Sequence, residues 1–346
     1  MRKKLNISYN LILAIILVAM VIVFGILTDG AMFKLSTLIG CTSDVAYLGV
    51  QAMSMTLIIL TSGIDLSVSY QMVCSAMCCA WTYSYVTGTL AMGVIPATII
   101  SIVVCILSGF VFGAANGILA AKTPINPWLI TMSTMYIFQA ISWFFGTSFA
   151  FTAGNPIVDV LNLKIGGVVP TQLIVLLVVY AIFWVLEKKT TFGRYVHAIG
   201  YNENAVTYSG VNAKSVKFWI YTLGGILSAV AALMYLGRSW QVNQETGLNM
   251  NIEVIALVVM GGTSTNGGVG GVTGSLLACL IVGVLKKGLA LMGLPGTVYN
   301  FVVGLVLIGS LILFAYLEKR KKIASGKSAI ENMAEQQETE EEQAAA

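Results

Sequence analysis

Residues 11–27 read LILAIILVAMVIVFGIL, a stretch that carries no charged side chain. Coiled as a helix, about twenty such residues span the hydrocarbon core of a bilayer. Two further runs, residues 170–186 and 298–317, are equally free of charge, and the whole chain is 57% hydrophobic and only 10% charged. A soluble domain of this composition would expose large apolar surfaces and aggregate. The sequence therefore predicts a multispanning membrane protein.

The apolar segments predict the fold class. We expect an all-α, polytopic membrane bundle of about ten transmembrane helices, interrupted by glycine-rich helix breaks. The predicted boundaries are a cytoplasmic N-terminal tail (1–9), one transmembrane domain (10–317) and a basic, then acidic, cytoplasmic tail without ordered structure (318–346). The predicted spans lie near 10–28, 40–61, 66–86, 91–121, 127–150, 170–186, 217–237, 250–263, 271–291 and 296–317.

Orientation is predicted from the basic residues, which accumulate on the cytoplasmic side of membrane proteins. An arrangement with both termini in the cytoplasm places most of the 19 lysines and arginines inside. It leaves only Lys34, Lys164, Arg238, Lys286 and Lys287 outside. This asymmetry also favours an even number of crossings.

Several kinds of chemistry are missing from the sequence. No stretch reads G-x-x-x-x-G-K-[ST], so the chain has no phosphate-binding loop of its own. There is no H-E-x-x-H pattern, and the single histidine, His197, is predicted to be a surface residue rather than a proton switch. The six cysteines lie in or beside apolar stretches and are predicted to be packing residues. The net charge of +4 gives no reason to expect a nucleic-acid partner.

Carboxylates inside the predicted membrane region are few. Asp44, Asp65 and Glu253 are the candidates, each near a predicted helix end. Because proton or sodium coupling usually depends on such groups, an ion-gradient-driven secondary transporter of small polar solutes is the weaker alternative. An intramembrane enzyme that acts on lipid is a second alternative. Transport powered by a separate polypeptide fits the sequence better.

Two glycine-rich stretches interrupt the apolar pattern, and we call them the first break (residues 61–69, TSGIDLSVS) and the second break (residues 261–271, GGTSTNGGVGG). Unpaired backbone groups are costly in lipid, so such breaks must face protein, water or the interface. Broken helices of this kind point to a transport route, and both breaks are expected on the same side. The break residues proposed for the pathway are Gly63, Asp65, Ser67, Gly261, Gly262, Thr263, Ser264, Gly267 and Gly268.

Asp65 admits two interpretations. Its carboxylate is suited to cap the N-terminus of the third span, or it contacts the transported solute directly. The second break is expected to permit close helix packing and a tight turn.

Four groups of residues, in this order, resemble the permease subunits of bacterial ATP-binding-cassette (ABC) importers for ribose, xylose, galactose and related compounds. The resemblance covers nearly everything from about residue 40 to 317. Its motifs are residues 63–68 (GIDLSV); Asn116-Gly117 with residues 127–131 (PWLIT) and Thr134-Met135; residues 191–194 (TFGR) with 198–200 (AIG), Asn202, Ala205 and 209–211 (SGV); and residues 261–264 (GGTS) with Gly267, Gly268, Gly270, 283–285 (GVL) and Gly288-Leu289.

The resemblance implies a multi-pass permease domain over 10–317 in the bacterial inner membrane. It implies pairing with a second copy or a homologous permease, ATPase subunits on the cytoplasmic side and an extracytoplasmic sugar-binding protein on the other. No cofactor is expected in this chain, because ATP and Mg²⁺ would be bound by the ATPase, and the chain itself is not expected to be an enzyme.

The connection between residues 187 and 216 is the longest predicted cytoplasmic one. Asn202 is suited to cap a short helix that ends at Gly210. This helix would either transmit nucleotide-driven movement from the ATPase or form a solvated connector. The resemblance favours transmission, and the predicted coupling residues are Gly193, Arg194, Gly200, Asn202, Glu203, Ala205, Ser209 and Gly210.

The chain departs from the family pattern at several positions. Ser62 and Ser69 stand where glycine is usual, which predicts a stiffer first break. Glu253 would have to act without the usual acidic pair, since Asn251 replaces one member. Lys286 and Lys287 replace polar amides and either reach the outer interface or present charge to the binding protein.

A route for sugars needs amides, hydroxyls and aromatic rings rather than fixed charges. Each candidate is either a path-lining residue or an interface anchor. The candidates are Gln51, Tyr70, Gln71, Asn116, Trp128, Gln139 and Asn300.

Overall fold

The computed structural model describes residues 9–146, 148–151, 155–306, 308, 309, 312 and 316. The predicted tails, 1–9 and 318–346, therefore lie outside the described residues except for Tyr9. The chain divides into two compact units, one ending at Tyr299 and the other beginning at Asn300.

The described residues are predominantly helical. The helices are α1 (Tyr9–Leu27), α2 (Leu35–Gly40), α3 (Ala46–Leu60), α4 (Val68–Gly88), α5 (Val94–Lys122), α6 (Pro127–Phe144), α7 (Pro156–Asn162), α8 (Thr171–Lys189), α9 (Thr191–Tyr208), α10 (Ala213–Ser239), α11 (Met250–Met260), α12 (Val272–Leu291) and α13 (Gly296–Val306), with 3-10 turns at Ala31–Phe33 and Gln244–Gly247. Among them, α1, α5, α8, α10 and α12 are long and apolar enough to cross a membrane.

The described residues agree with the predicted all-α class, and the long connections add two small antiparallel sheets that were not predicted. Strand β1 (Ser148–Ala150) pairs with β4 (Gln241–Asn243), with Phe149 opposite Val242. Strands β2 (Lys164–Ile165) and β3 (Val169–Pro170) form a hairpin around two glycines of positive φ. Strands of two or three residues are too short to produce a recognisable alternation in the sequence.

Two predicted spans have different bounds in the structure. The segment predicted at 40–61 is divided, because α2 ends at Gly40 and α3 starts only at Ala46. The segment predicted at 127–150 ends as a helix at Phe144, since Gly146 adopts a φ of +130° and the chain continues into β1. The first turn, residues 41–45, reads CTSDV and carries a polar signal that the predicted span passed over, whereas the second follows the apolar residues Phe144 and Phe145.

Helix α3 lies at the centre of the first unit. Nearly all of its residues are buried, and it packs against α8, α10, α11 and α12. A helix that is apolar all round belongs in such a position. By contrast, α5 exposes Ile95, Ile99, Val103, Leu107 and Val111, an apolar stripe of four-residue spacing. In a membrane protein this stripe faces lipid.

The most extensive helix packing in the described residues joins α5 and α10. Gly109, Gly113 and Gly117 recur every four residues on α5 and face α10. A Cβ atom added at Gly113 would lie 2.7 Å from the carbonyl oxygen of Tyr221 and 2.9 Å from the Cα atom of Gly225. Small residues at this spacing let helix backbones approach closely within membranes.

Candidate functional site

The first break is organised around the hydroxyl group of Ser67. This hydroxyl donates to Oδ1 of Asp65 at 2.6 Å and accepts from the side-chain amides of Gln71 and Asn116, both at 2.7 Å. Asp65 also accepts from the backbone N–H of Ser67 at 2.8 Å and from Nε2 of Gln71 at 3.1 Å. All four residues are buried.

Asp65 is not itself the N-cap of the third span. Ser67 occupies that position, directly before α4 begins at Val68. The carboxylate of Asp65 instead holds the N–H of the cap residue, so it supports the helix start from two residues upstream. A direct contact between Asp65 and a solute stays a prediction.

The candidate path residues fall into separate groups. Gln51, Gln71 and Asn116 are fully buried around the start of α4, where Nε2 of Gln51 donates to the carbonyl oxygen of Val68 at 3.2 Å. Gln139 donates to the hydroxyl of Tyr70 at 2.9 Å, which joins α6 to α4. The structure does not bring Trp128 or Asn300 into either group: Trp128 is exposed in the first turn of α6, and Asn300 is exposed in the second unit.

Several buried polar atoms near the first break lack a hydrogen-bond partner within the described residues. They include the amide oxygens of Gln51, Gln71 and Asn116 and the hydroxyl of Tyr221. Buried polar groups are normally satisfied. These atoms are therefore available for hydrogen bonds from water or from a polar solute.

The second break is a compact turn between α11 and α12. Gly262, Gly267, Gly268 and Gly270 all adopt positive φ, between +74° and +131°. L-residues with a Cβ rarely adopt this conformation. The predicted tight turn is confirmed.

The two breaks meet each other, which confirms that they lie on the same side. The backbone N–H of Gly268 donates to the carbonyl oxygen of Leu60 at 2.9 Å. The hydroxyl of Ser62 donates to the carbonyl oxygen of Asn266 at 2.8 Å, although Ser62 must adopt a φ of +61° to reach it.

The predicted coupling helix is present in the second half of α9. The backbone kinks at Asn202, whose side-chain oxygen accepts from the N–H of Ala205 at 3.0 Å. Gly210 follows the helix end with a φ of +84°. The structure adds an unpredicted first half of α9, beginning at Thr191, and an ion pair between Glu203 and Lys217 at 2.6 Å.

Gly200, in the first half of α9, brings this helix against both breaks, and its carbonyl oxygen accepts from the hydroxyl of Ser62 at 3.4 Å. A Cβ atom added at Gly200 would collide with the carbonyl oxygen of Leu60 and the backbone N–H of Gly268. Helix α9 therefore touches the end of α3 and the second break through backbone atoms. The other predicted coupling residues are distributed along α9, with Gly193 buried and Arg194 exposed.

His197 lies at the surface as predicted, since its side chain is 26% exposed, but both of its ring nitrogens also have partners within the protein. Its Nδ1 lies 2.8 Å from the carbonyl oxygen of Gly268, and its Nε2 lies 3.3 Å from Oε1 of Glu187. The hydrogen bond with Glu187 raises the pKa of His197 above its usual value. Folding of α9 onto the second break supplies these partners, which are distant in sequence.

Glu187 was missed by the sequence analysis. It lies at the end of α8, is 2% exposed and accepts from the N–H of Val272 at 2.8 Å. A single acidic residue between an apolar run and Lys188-Lys189 was the available signal, but it also fits an ordinary helix end.

A polar cavity of about 370 Å³ lies beside the start of α8 and the end of α12. Its lining includes Lys164, Arg238 and Lys287, three residues predicted outside, and Asp44, which pairs with Arg238. Because Glu187 and Val272 lie at the other ends of the same helices, the cavity and the breaks are on opposite sides of the first unit. Lys286 lies over the ring of Tyr299, whose hydroxyl donates to Glu253 at 2.6 Å.

The six cysteines are all buried and unpaired, as packing residues are. Within the described residues no group of histidines, cysteines and carboxylates is arranged to hold a metal ion.

Lipid-facing helices, a buried polar break and a glycine turn that contacts it define a multi-pass integral membrane protein of the permease class. The chain belongs to the family described as "Branched-chain amino acid transport system / permease component", which matches residues 37–311. The predicted resemblance to permeases of ribose-type importers is confirmed by the relatives described next.

The ribose import permease protein RbsC of Bacillus subtilis is 35% identical over 313 residues, covering 88% of this chain and 91% of the relative. The fructose import permease protein FrcC of Rhizobium meliloti is 32% identical over 314 residues, covering 88% of this chain and 85% of the relative. The autoinducer 2 import system permease protein LsrD of Klebsiella pneumoniae is 28% identical over 312 residues, covering 88% and 91%. No solved structure matches the chain at a significant level.

Proposed function

We propose that this chain is the membrane-spanning permease subunit of an ABC importer that translocates a sugar or a related polyol or nucleoside across a bacterial inner membrane. An extracytoplasmic binding protein delivers the solute, and a separate ATPase subunit, which binds ATP and Mg²⁺, provides the energy. The observation that carries the proposal is the contact of α9 with both breaks at Gly200. Movement imposed on α9 from outside the membrane reaches the breaks directly.

The proposed topology has ten spans, α1, α3, α4, α5, α6, α8, α10, α11, α12 and α13, with both termini in the cytoplasm. Helices α3 and α11 have 15 and 11 residues. At 1.5 Å per residue they extend about 22 and 17 Å, less than the hydrocarbon thickness of about 30 Å. Both precede a break, so the breaks would lie at membrane depth, where protein must cover the irregular backbone.

The proposed route passes the start of α4. Gln51, Gln71 and Asn116 have amide oxygens without partners in the described residues, and sugar hydroxyls are donors of the matching kind. These side chains are buried in the present conformation. Opening of the breaks would have to expose them to the solute.

The relatives support the substrate class. Two of them are import permeases for ribose and fructose, and a third belongs to an autoinducer 2 import system. A paired assembly with a second permease copy is proposed on the same family grounds.

Reconstitution in vesicles tests the proposal. The chain is assembled with a candidate ATPase and a candidate sugar-binding protein, and uptake of radiolabelled D-ribose and D-fructose is measured with and without internal ATP. ATP-dependent uptake that survives an uncoupler is expected. Uphill uptake by the chain alone, abolished by an uncoupler, would instead establish the ion-driven alternative.

A further inference from the structure

Glu187 joins the consecutive helices α8 and α9 to the start of α12, which is distant from them in sequence. Its Oε2 accepts from the backbone N–H of Val272 at 2.8 Å, which supplies a partner for the first turn of α12. Its Oε1 contacts Nε2 of His197 at 3.3 Å and Nζ of Lys188 at 2.7 Å. The carboxylate thus ties the end of α8 to the start of α12 and to α9.

The hydrogen bonding of His197 depends on its protonation state. The carbonyl oxygen of Gly268 and the carboxylate of Glu187 are both acceptors, so both contacts are satisfied at once when both ring nitrogens carry a proton. In this positively charged form, a charged hydrogen bond links Glu187 to His197, and His197 in turn holds the backbone of the second break. The neutral ring can donate from only one nitrogen.

The carboxylate has little freedom to move away. A Cβ atom added at Gly271 would lie 3.1 Å from Cδ of Glu187, and one at Gly193 would lie 2.6 Å from the Cα atom of Glu187. Gly193 of α9 and Gly271 of the second break therefore permit α9 and the second break to lie close to Glu187.

The other charges on the elements around His197 are few. On α8 they are Lys188, which binds Glu187, and Lys189, which lies over the ring of Trp184. On α9 they are Arg194, exposed, and Glu203, which is paired with Lys217 of α10, while Lys214 of α10 is exposed. The described residues of α3 and the second break contribute no charged side chain. Glu187 is thus the carboxylate that faces the ring.

We propose that Glu187 is a positioning residue for transport, which transmits the displacement of α9 to the second break and to the start of α12. The proposal rests on the proposed function, because it assumes that an ATPase moves α9. When α9 moves towards the breaks, steric contact at Gly200 displaces them. When α9 moves away from the breaks, the hydrogen bonds of Glu187 and His197 draw them in the same direction. Both directions of movement are then coupled.

The test uses the complete transporter, with its ATPase and binding protein, in vesicles. The measured quantity is radiolabelled D-ribose imported per ATP hydrolysed, between about pH 6 and pH 9. Glu187→Ala is expected to lower this ratio about tenfold while ATP hydrolysis continues, since it removes the carboxylate's contacts with Val272, His197 and Lys188. The control is Glu245→Gln, which alters an exposed glutamate of the second 3-10 turn and is expected to leave the ratio unchanged.

Glu187→Gln separates transmission from mere stability. Its amide oxygen still accepts from Val272, and its amide nitrogen donates to the neutral ring of His197. The ratio is expected to stay within about twofold of the wild type near pH 7. It is also expected to lack the decline at high pH that we expect of the wild type, whose contact with His197 weakens when the ring loses its proton. A role in stability alone would change the unfolding temperature with pH but not the number of sugars imported per ATP hydrolysed.

Each outcome of these measurements either supports or overturns the proposal. An assembled Glu187→Ala transporter with the wild-type ratio overturns the proposal, as does a Glu187→Gln profile with the wild-type pH dependence. If the alanine variant fails to assemble, the glutamine profile decides. Absence of ATP-dependent uptake in the wild type contradicts the proposed function itself and is recognised before any variant is compared.

Discussion

The backbone N–H of Gly268 donates a 2.9 Å hydrogen bond to the carbonyl oxygen of Leu60. Leu60 is the last residue of α3, where the final carbonyl groups of a helix have no partner within it. Gly268 of the second break thus supplies a hydrogen-bond donor for a carbonyl group at the end of α3, the helix that leads into the first break. If one break moves, either this hydrogen bond breaks or the other break moves with it.

Gly200→Ala is expected to damage both stability and transport. The added methyl group would lie 3.0 Å from the carbonyl carbon of Leu60 and closer still to its oxygen. Overpacking of this kind costs about 1–3 kcal/mol. Thermal unfolding in detergent and sugar uptake in vesicles measure the two effects. The matched control is Gly88→Ala, because nothing lies within 4 Å of the added atom there; equal losses in both variants would refute the proposed contact.

Ser67→Ala is expected to destabilise the first break. The hydroxyl has three side-chain partners, including the buried Asp65 carboxylate, and its loss leaves two amide donors unsatisfied. The cost is about 2–4 kcal/mol, seen as a lower unfolding temperature. Ser133→Ala removes an exposed hydroxyl that bonds only its own helix and serves as the control. An unchanged unfolding temperature for Ser67→Ala would show that the network adds no stability.

The contact of His197 with Glu187 is expected to stabilise the protein at low pH. Because the native pKa is raised, this stabilisation is complete below the unfolded value of about 6.5 and disappears as the pH rises through the native value. The unfolding temperature of the wild type should therefore exceed that of His197→Ala more at about pH 5.5 than at about pH 9. The variant contains no other histidine, so its pH curve is a clean baseline. A difference independent of pH would contradict the charged contact.

Substitutions of Ser62 should separate backbone strain from hydrogen bonding. Ser62→Gly relieves the left-handed backbone but loses the bond to Asn266, and the two terms, each about 1 kcal/mol, nearly cancel. Ser62→Ala keeps the strain and loses the bond, so it should be less stable by about 1 kcal/mol. Both should speed amide hydrogen exchange in residues 61–68 and 262–270. Wild-type exchange in both variants would mean that Ser62 does not hold the two breaks together.

Much of the local structure was predictable, since it depends on nearby residues. The start of the coupling helix at Asn202 and its end before Gly210 follow from capping preferences. The apolar runs located most helices to within a few residues. The predicted boundaries were wrong at Cys41–Val45, where the polar residues Thr42, Ser43 and Asp44 were included in a span, and at Gly146, which follows an apolar run.

The candidate site was predictable only in part. The residues of the first break were recognised, but the role of Ser67 as the shared partner of Asp65, Gln71 and Asn116 was not. The contacts of Glu187 and His197 were not predicted, because their partners lie up to 85 residues away along the chain. Spacing within the sequence carries no information about such contacts.

The sequence by itself determined that the chain is a helical membrane protein with two glycine-rich breaks. The length of an apolar run and the lack of a side chain at glycine both act on the local backbone. The tertiary structure decided which backbone groups the breaks use as partners and which carboxylate lies against α9. The physical reason is that a buried polar group must be satisfied by whichever atoms the packed helices bring to it.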